Sequence, residues 1–258
     1  MRNNFLPDNF SPETALRCLQ LINVAYAEYT SFRVRGSTQV TPPEGFEFIE
    51  ELWAKPEGLF SQMEPFGFIV KHTETNTIYV VFRGTESLDD WFSDLSVEQV
   101  SYEDECGCPG KVHSGFWNLY KQFPVEDRLP NLLGRILEHG ETIVVTGHSL
   151  GAALATLAEH DCPSKYTTTY TFASPRVGDR EFVEGLFFLQ EEYETTRLFR
   201  IFNTEDIVPT GPLPTIDELV YSHTGTPIAF TDNQGDIVKN HSSEEGGTYW
   251  NFVKSLIE

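Results

Sequence analysis

The sequence is poor in positive charge. Its 258 residues hold 18 Lys and Arg against 39 Asp and Glu, a formal net charge of -21. Nucleic-acid binding needs clusters of Lys and Arg to meet phosphate, so this balance argues against that class of partner. It equally disfavours electrostatic docking on anionic lipid. An acidic surface instead favours solubility and suits salty surroundings. Long apolar runs are missing too, since no stretch approaches the ~18 residues of a membrane span. The opening residues, "MRNNFLPDNFSPETALRCLQ", lack the apolar core of a secretion signal. The chain as given reads as soluble, with cytoplasmic or secreted location open.

Cysteine is scarce. Cys18 and Cys162 are isolated and read as free thiols; Cys106 and Cys108 read as thiols in a turn, with a short strained bridge as the alternative. No Cys/His spacing completes a usual zinc site. Internal repeats and linker-like stretches are absent, which predicts one domain over residues 1–258.

What is present is a pattern of apolar runs alternating with amphipathic segments. Ser11-Pro12-Glu13 starts a helix, with a cap and then proline at the first helical position. "FGFIVKHTETNTIYVVFRG" predicts two strands around a turn at Thr73–Asn76. "TIVVTG", "KYTTTYTFASP", "RLFRIFN" and "TPIAFTD" predict further strands. "VHSGFWNLYKQF", "LPNLLGRILEHG", "LGAALATLAEH", "DREFVEGLFFLQEE" and "TYWNFVKSLI" predict helices. Strand–helix alternation implies crossovers and a mostly parallel sheet.

The sharpest local signal is Gly147-His148-Ser149-Leu150-Gly151, between the strand "TIVVTG" and a helix rich in alanine. A strand, Gly-Xaa-Ser-Xaa-Gly and a helix form a nucleophile elbow. The turn is so tight that side chains at positions 147 and 151 would strike the neighbouring backbone. The Ser149 hydroxyl stands clear at the positive end of the helix, and the N–H of Leu150 points to where an oxyanion would form. A serine needs a base, and the base an orienting carboxylate, in the chain order Ser, Asp/Glu, His for this arrangement. Asp206 follows a strand end in "RLFRIFNTEDIVP" and is the candidate acid. Chain order permits either His223 or His241 as base.

Five motifs in order, "VVFRGTESLDDWFSDL" (80–95), "KVHSGFWNLY" (111–120), "VTGHSLGAALATL" (145–157), "FASPRVGD" (172–179) and "NTEDIVP" (203–209), resemble the class 3 lipases, a group that includes filamentous-fungal triacylglycerol lipases and feruloyl esterases. The resemblance implies an α/β-hydrolase fold: a central, mostly parallel sheet flanked by helices, with a short lid helix. It implies Thr85 as the first oxyanion-hole residue beside Leu150. It implies a lid carrying Leu88, Trp91, Phe92 and Leu95, spaced to share one helix face, although a helix packed permanently on the core would read the same way. It also favours His241, in a loop before Tyr249-Trp250, over His223, and marks His113, Arg83 and Arg176 as structural. Ala152, where many relatives have a second glycine, is a mild departure.

The expectation is therefore a triacylglycerol lipase working through Ser149, His241 and Asp206 and an acyl-enzyme, without metal or organic cofactor. Its partner is an ester or acylglycerol, from solution or at a lipid–water interface; no protein partner is evident. A feruloyl-type esterase or phospholipase A1 on the same triad is the alternative. A binding module on this body is the rival from another class.

Overall fold

Unbroken apolar runs form the middle of the sheet, because a strand covered on both faces has no polar side to show. The computed structural model describes residues 6–56, 62–85, 97–102, 109–123, 129–137, 141–161, 167–192, 197–216 and 218–258. Its main sheet has seven strands: β1 (Phe46–Ala54), β2 (Glu64–His72), β3 (Thr77–Phe82), β4 (Thr142–His148), β5 (Thr167–Phe172), β6 (Arg197–Asn203) and β7 (Thr226–Phe230). Their order across the sheet is their order along the chain. β1, β2 and β3 pair antiparallel, and β3 through β7 run parallel. All six residues of β3 are buried, whereas β1 at the edge is half exposed and carries exposed glutamates at 47 and 50.

Helices cover both faces. They are α1 (Pro12–Arg35), α2 (Ser114–Tyr120), α3 (Leu129–Ile136), α4 (Leu150–Asp161), α5 (Arg180–Glu192), α6 (Ile237–Asn240) and α7 (Thr248–Ser255). α1 starts as expected, with Ser11 Oγ accepting the Thr14 N–H at 3.1 Å and Pro12 next. It ends at Gly36, left-handed at φ 72°. Its Leu19 and Ile22, with Tyr249 and Val253 of α7, pack on Phe68, Val70, Tyr79 and Val81. On the opposite face α2, α3 and α4 meet Ile69, Val80, Phe82 and Val145. Positions 78, 80 and 82 of β3 feed one core and 79 and 81 the other, the period of two that a pleated strand requires, and residues 68–70 of β2 alternate in the same way. Every residue of α4 is buried.

Three local features differ from expectation. "VHSGFWNLYKQF" opens as strand: Lys111–His113 pairs antiparallel with Gln99–Ser101, and the helix begins only at Ser114. β-branched Val112 opposite Val100 favours the ladder, and His113 Nδ1 then caps α2 by accepting the Gly115 N–H at 3.1 Å. β1 was hidden because its apolar residues fit a helical spacing as readily as a strand. The polar loop before His241 contains α6, started by Asp236, whose carboxylate accepts the Lys239 N–H at 3.0 Å. The expected lid segment with Leu88, Trp91, Phe92 and Leu95 lies outside the described residues, as do Cys106, Cys108 and Cys162. Cys18 is a buried free thiol, and burial pushes its pKa up to about 12.

A Cβ on Gly151 would lie 2.4 Å from the Phe82 carbonyl oxygen and 2.6 Å from that of Arg83. Gly134, in exposed helix, has nothing within 4 Å of its Cβ position. Gly151→Ala should lower unfolding free energy by about 2–4 kcal/mol. Gly134→Ala should raise it by up to about 1 kcal/mol. Urea denaturation of both checks the contrast.

Candidate active site

The parallel strands β3, β4, β6 and β7 end on one edge of the sheet, and the loops beyond them gather the candidate residues there. β4 stops at His148, and Ser149 turns the chain into α4 with φ 60°. A left-handed serine is strained and persists only where its surroundings enforce it. Here the enforcing contacts are backbone against backbone. A Cβ on Gly147 would sit 2.1 Å from the Gly151 carbonyl oxygen, and Gly151 in turn abuts the end of β3. The Ser149 N–H donates to the Phe172 carbonyl at 3.0 Å. Leu150 opens α4, so its N–H belongs to the turn that has no intrahelical acceptor.

Asp206, in the loop after β6, is buried. Its Oδ1 accepts the Val208 N–H at 3.0 Å. Its Oδ2 accepts both His241 Nδ1–H and the Tyr249 hydroxyl, each at 2.7 Å. Burial and the Asp206 charge raise the Tyr249 pKa well above the ordinary phenol value, so its proton stays on and serves as donor. The Asn203 N–H reaches the same phenol oxygen at 3.1 Å. With Nδ1 protonated toward Asp206, the neutral His241 ring keeps Nε2 bare.

Two asparagines hold the acid and base loops together. The Asn203 amide donates to the carbonyls of Asp232 (2.7 Å) and Asn240 (3.1 Å) and accepts the N–H groups of Glu205 and Asp232. Asn240 Nδ2 donates to the Glu205 carbonyl at 3.1 Å. His241 therefore follows a residue tied directly to the Asp206 loop.

Thr85 lies beyond β3. Buried Arg83 fixes the backbone before it: Nε donates to Pro65 O (2.7 Å), Nη1 to Gly84 O (2.7 Å) and Nη2 to Glu64 Oε1 (2.8 Å). The guanidinium also lies 3.5 Å over the Tyr29 ring. A trans peptide points its C=O and the next N–H in opposite directions. Arg83, by holding the Gly84 carbonyl, therefore fixes the Thr85 N–H on the other side. Among the described residues, three buried polar atoms at this site have no hydrogen-bond partner: Ser149 Oγ, Thr85 Oγ1 and His241 Nε2. Buried orphans are rare in folded proteins, and reacting groups are one place where they are tolerated.

The structure places Ser149, Leu150, Asp206, His241 and Thr85 on this one edge. His223 is bound elsewhere, with Nε2 facing the Pro209 carbonyl at 2.8 Å. Burial, then Arg200 and Arg176, push its pKa down to about 3. Tyr249, Asn203, Asn240 and Tyr26 join the site without having been expected. Only Tyr249 had a sequence cue, as an aromatic following the candidate histidine. Among the described residues no cluster of His, Cys, Asp or Glu is arranged to hold a metal ion, and no helix is long and apolar enough to cross a membrane.

A helix-covered, mostly parallel sheet with a strained serine between β4 and α4 defines an α/β-hydrolase. Residues 79–216 match the family described as Lipase (class 3), and the chain belongs to that family. A lipase of Rhizomucor miehei is 32% identical over 188 residues, covering 68% of this chain and 48% of its own. Phospholipase A1-II 1 of Oryza sativa subsp. indica is 30% identical over 193 residues, covering 63% of this chain and 45% of its own. The chain spans about half the length of these curated relatives. A solved triacylglycerol lipase, described as having a serine-protease triad at its catalytic centre, superposes with TM-score 0.66 at 25% identity, over 88% of this chain and 83% of its own.

The His223 environment has a consequence for stability. Its pKa is depressed in the fold, so between pH 6.5 and about 3 the unfolded chain binds a proton that the folded chain refuses. The stabilisation is complete above pH 6.5 and is lost as pH falls toward 3. His223→Gln, which keeps a donor for Pro209, should lose less melting temperature than wild type between pH 7 and pH 4. Thermal melts across that range check it.

Proposed function

We propose that this chain is a carboxylic-ester hydrolase acting on acylglycerols through Ser149, His241 and Asp206. The observation that carries the reading is the 2.7 Å bond from His241 Nδ1–H to buried Asp206, which leaves Nε2 as the ring's proton acceptor. His241 takes the proton of Ser149 as Oγ attacks the ester carbonyl. The tetrahedral oxyanion rests on the N–H groups of Thr85 and Leu150, with the Thr85 hydroxyl as a further donor. His241 then gives its proton to the departing alkoxide, and the acyl group stays on Ser149. Water, deprotonated by the same Nε2, attacks the acyl-enzyme; collapse returns the proton to Ser149 and releases the acid. Asp206 keeps the ring in this tautomer and stabilises the imidazolium. The remaining bonds to Asp206, from Val208 and Tyr249, hold the carboxylate in place.

The substrate class rests on the family and on surface chemistry. The relatives include a lipase and a phospholipase A1. Exposed apolar residues sit on the loops that carry the acid and base: Ile207 directly after Asp206, Leu213 in the same connection, and Ile237 and Val238 on α6 before His241. Such residues favour a lipid surface, and the net charge of -21 favours a neutral one. Ser149 is fully buried, so an ester reaches it only after the covering structure moves.

On tributyrin, wild-type rate should rise sharply as droplets form. Ser149→Ala should be folded and slower by about 10⁴-fold or more. A curve that saturates below the solubility limit points instead to an esterase for soluble substrates, and retained turnover in Ser149→Ala removes the mechanism. Zwitterionic phosphatidylcholine vesicles, assayed alongside, test the phospholipase reading: a faster rate there than on droplets would favour it.

A further inference from the structure

His148, beside the serine, is fully buried and takes no part in the proposed proton transfers. Its Nε2 faces the backbone carbonyl of His241 at 2.9 Å, and its Nδ1 faces the Tyr26 hydroxyl at 2.9 Å. A carbonyl oxygen only accepts, so Nε2 carries the proton and Nδ1 is bare. Tyr26 must then donate to Nδ1. The same phenol oxygen accepts the Gly84 N–H at 3.0 Å. These three bonds therefore run one way: Gly84 N–H to Tyr26, Tyr26 O–H to His148, His148 N–H to the His241 carbonyl. The relay begins one residue before Thr85 and ends on the backbone of His241, and between them it passes the residue next to Ser149.

We propose that the Tyr26 hydroxyl is a positioning residue that holds Gly84, the hinge on which the oxyanion peptide of Thr85 hangs, in register with His241 by way of His148. The inference rests on the roles proposed for Thr85 and His241. Gly84 is held at both ends, its carbonyl by Arg83 and its N–H by Tyr26. The space is already full: a Cβ there would lie 2.6 Å from the Tyr26 oxygen and 2.8 Å from Ser149 Cβ. Loss of the hydroxyl leaves the outline of the site intact but frees the Arg83–Gly84 peptide to turn, so the Gly84–Thr85 peptide, hinged to it at the Gly84 Cα, keeps only its Arg83 anchor. Tyr26 also occupies the one nitrogen on which His148 could take a second proton. That keeps an uncharged ring 4.3 Å from His241, between centroids, when His241 becomes an imidazolium. Burial and His241 push the His148 pKa the same way, well below its usual value.

The test is Tyr26→Phe, with steady-state kinetics on a soluble p-nitrophenyl ester and the folded fraction measured by circular dichroism. Removing an oxyanion donor outright costs about 10²–10³-fold in kcat, so loosening one should cost about 10–100-fold per folded molecule, with KM changed less than about threefold. A side chain serving only the fold would lower the melting temperature and leave kcat alone. His148→Gln supplies a double-mutant cycle: members of one relay are non-additive, so the double variant should fall no lower than the worse single variant. Tyr26→Phe with kcat within twofold of wild type, a change confined to KM, or losses that multiply in the cycle would each overturn the proposal. Wild-type protein without Ser149-dependent turnover would instead overturn the hydrolase reading itself.

Discussion

The site depends on how closely three backbone segments approach one another. At Gly84, Gly147 and Gly151 the neighbouring atoms leave no room for a Cβ, so the end of β3, the end of β4 and the first turn of α4 are stacked at the limit that peptide groups allow. The turn at Ser149 exists because of that contact. A left-handed serine stores about 1–3 kcal/mol of strain, and something must offset it. α4, buried along its whole length between strands and helices, is what does so. A methyl group on Gly147 or Gly151 would push α4 off the sheet and let the serine relax. Geometry at Ser149 and stability of the central layers are one property here.

Around this contact, polar groups are used up in a definite direction. Asp206 is filled by three donors, Asn203 by two donors and two acceptors, and Tyr249 and Tyr26 each accept one proton and give one. Buried polar groups cost little when satisfied and a great deal when not. Against that network, Ser149 Oγ, Thr85 Oγ1 and His241 Nε2 are left without partners, and all three belong to residues for which chemistry is proposed. Fixed dipoles of this kind stabilise charge at the moment it forms without first having to reorganise.

Much of this was legible in the sequence where the physics is local. Gly147-Xaa-Ser149-Xaa-Gly151 between a β-run and a small-residue helix is a steric requirement written in five residues, and the Ser11-Pro12 helix start is another. The alternating pattern announced the parallel sheet. Asp206 was readable from its place after a strand end. His223 and His241 could not be separated by order alone, because both follow the acid; what separates them is a carbonyl at Pro209 for one and a carboxylate for the other. Asn203, Asn240 and Tyr26 gave no signal. Their bonds join residues about 30 to 120 positions apart to backbone atoms or to a buried ring, and neither partner's identity marks the pair. β1 escaped for a different reason: as an edge strand it is half exposed, and its mixture of glutamates and large apolar residues has no clean period.

The acidic composition and the apolar rim fit together. Abundant surface carboxylates favour hydration and repel anionic lipid. The loops after β6 and β7 depart from this rule, showing Ile207, Leu213, Ile237 and Val238 to water beside the buried acid and base. Those loops are short of freedom, since Asn203 and Asn240 lock them to each other. Apolar side chains on a rigid support cost little entropy when they dock, whereas the same residues on a loose loop would first have to be ordered. The bonds that hold His241 on Asp206 thus also preorganise the surface through which, on the proposed function, a neutral lipid would be met, and a change that loosened one would loosen the other.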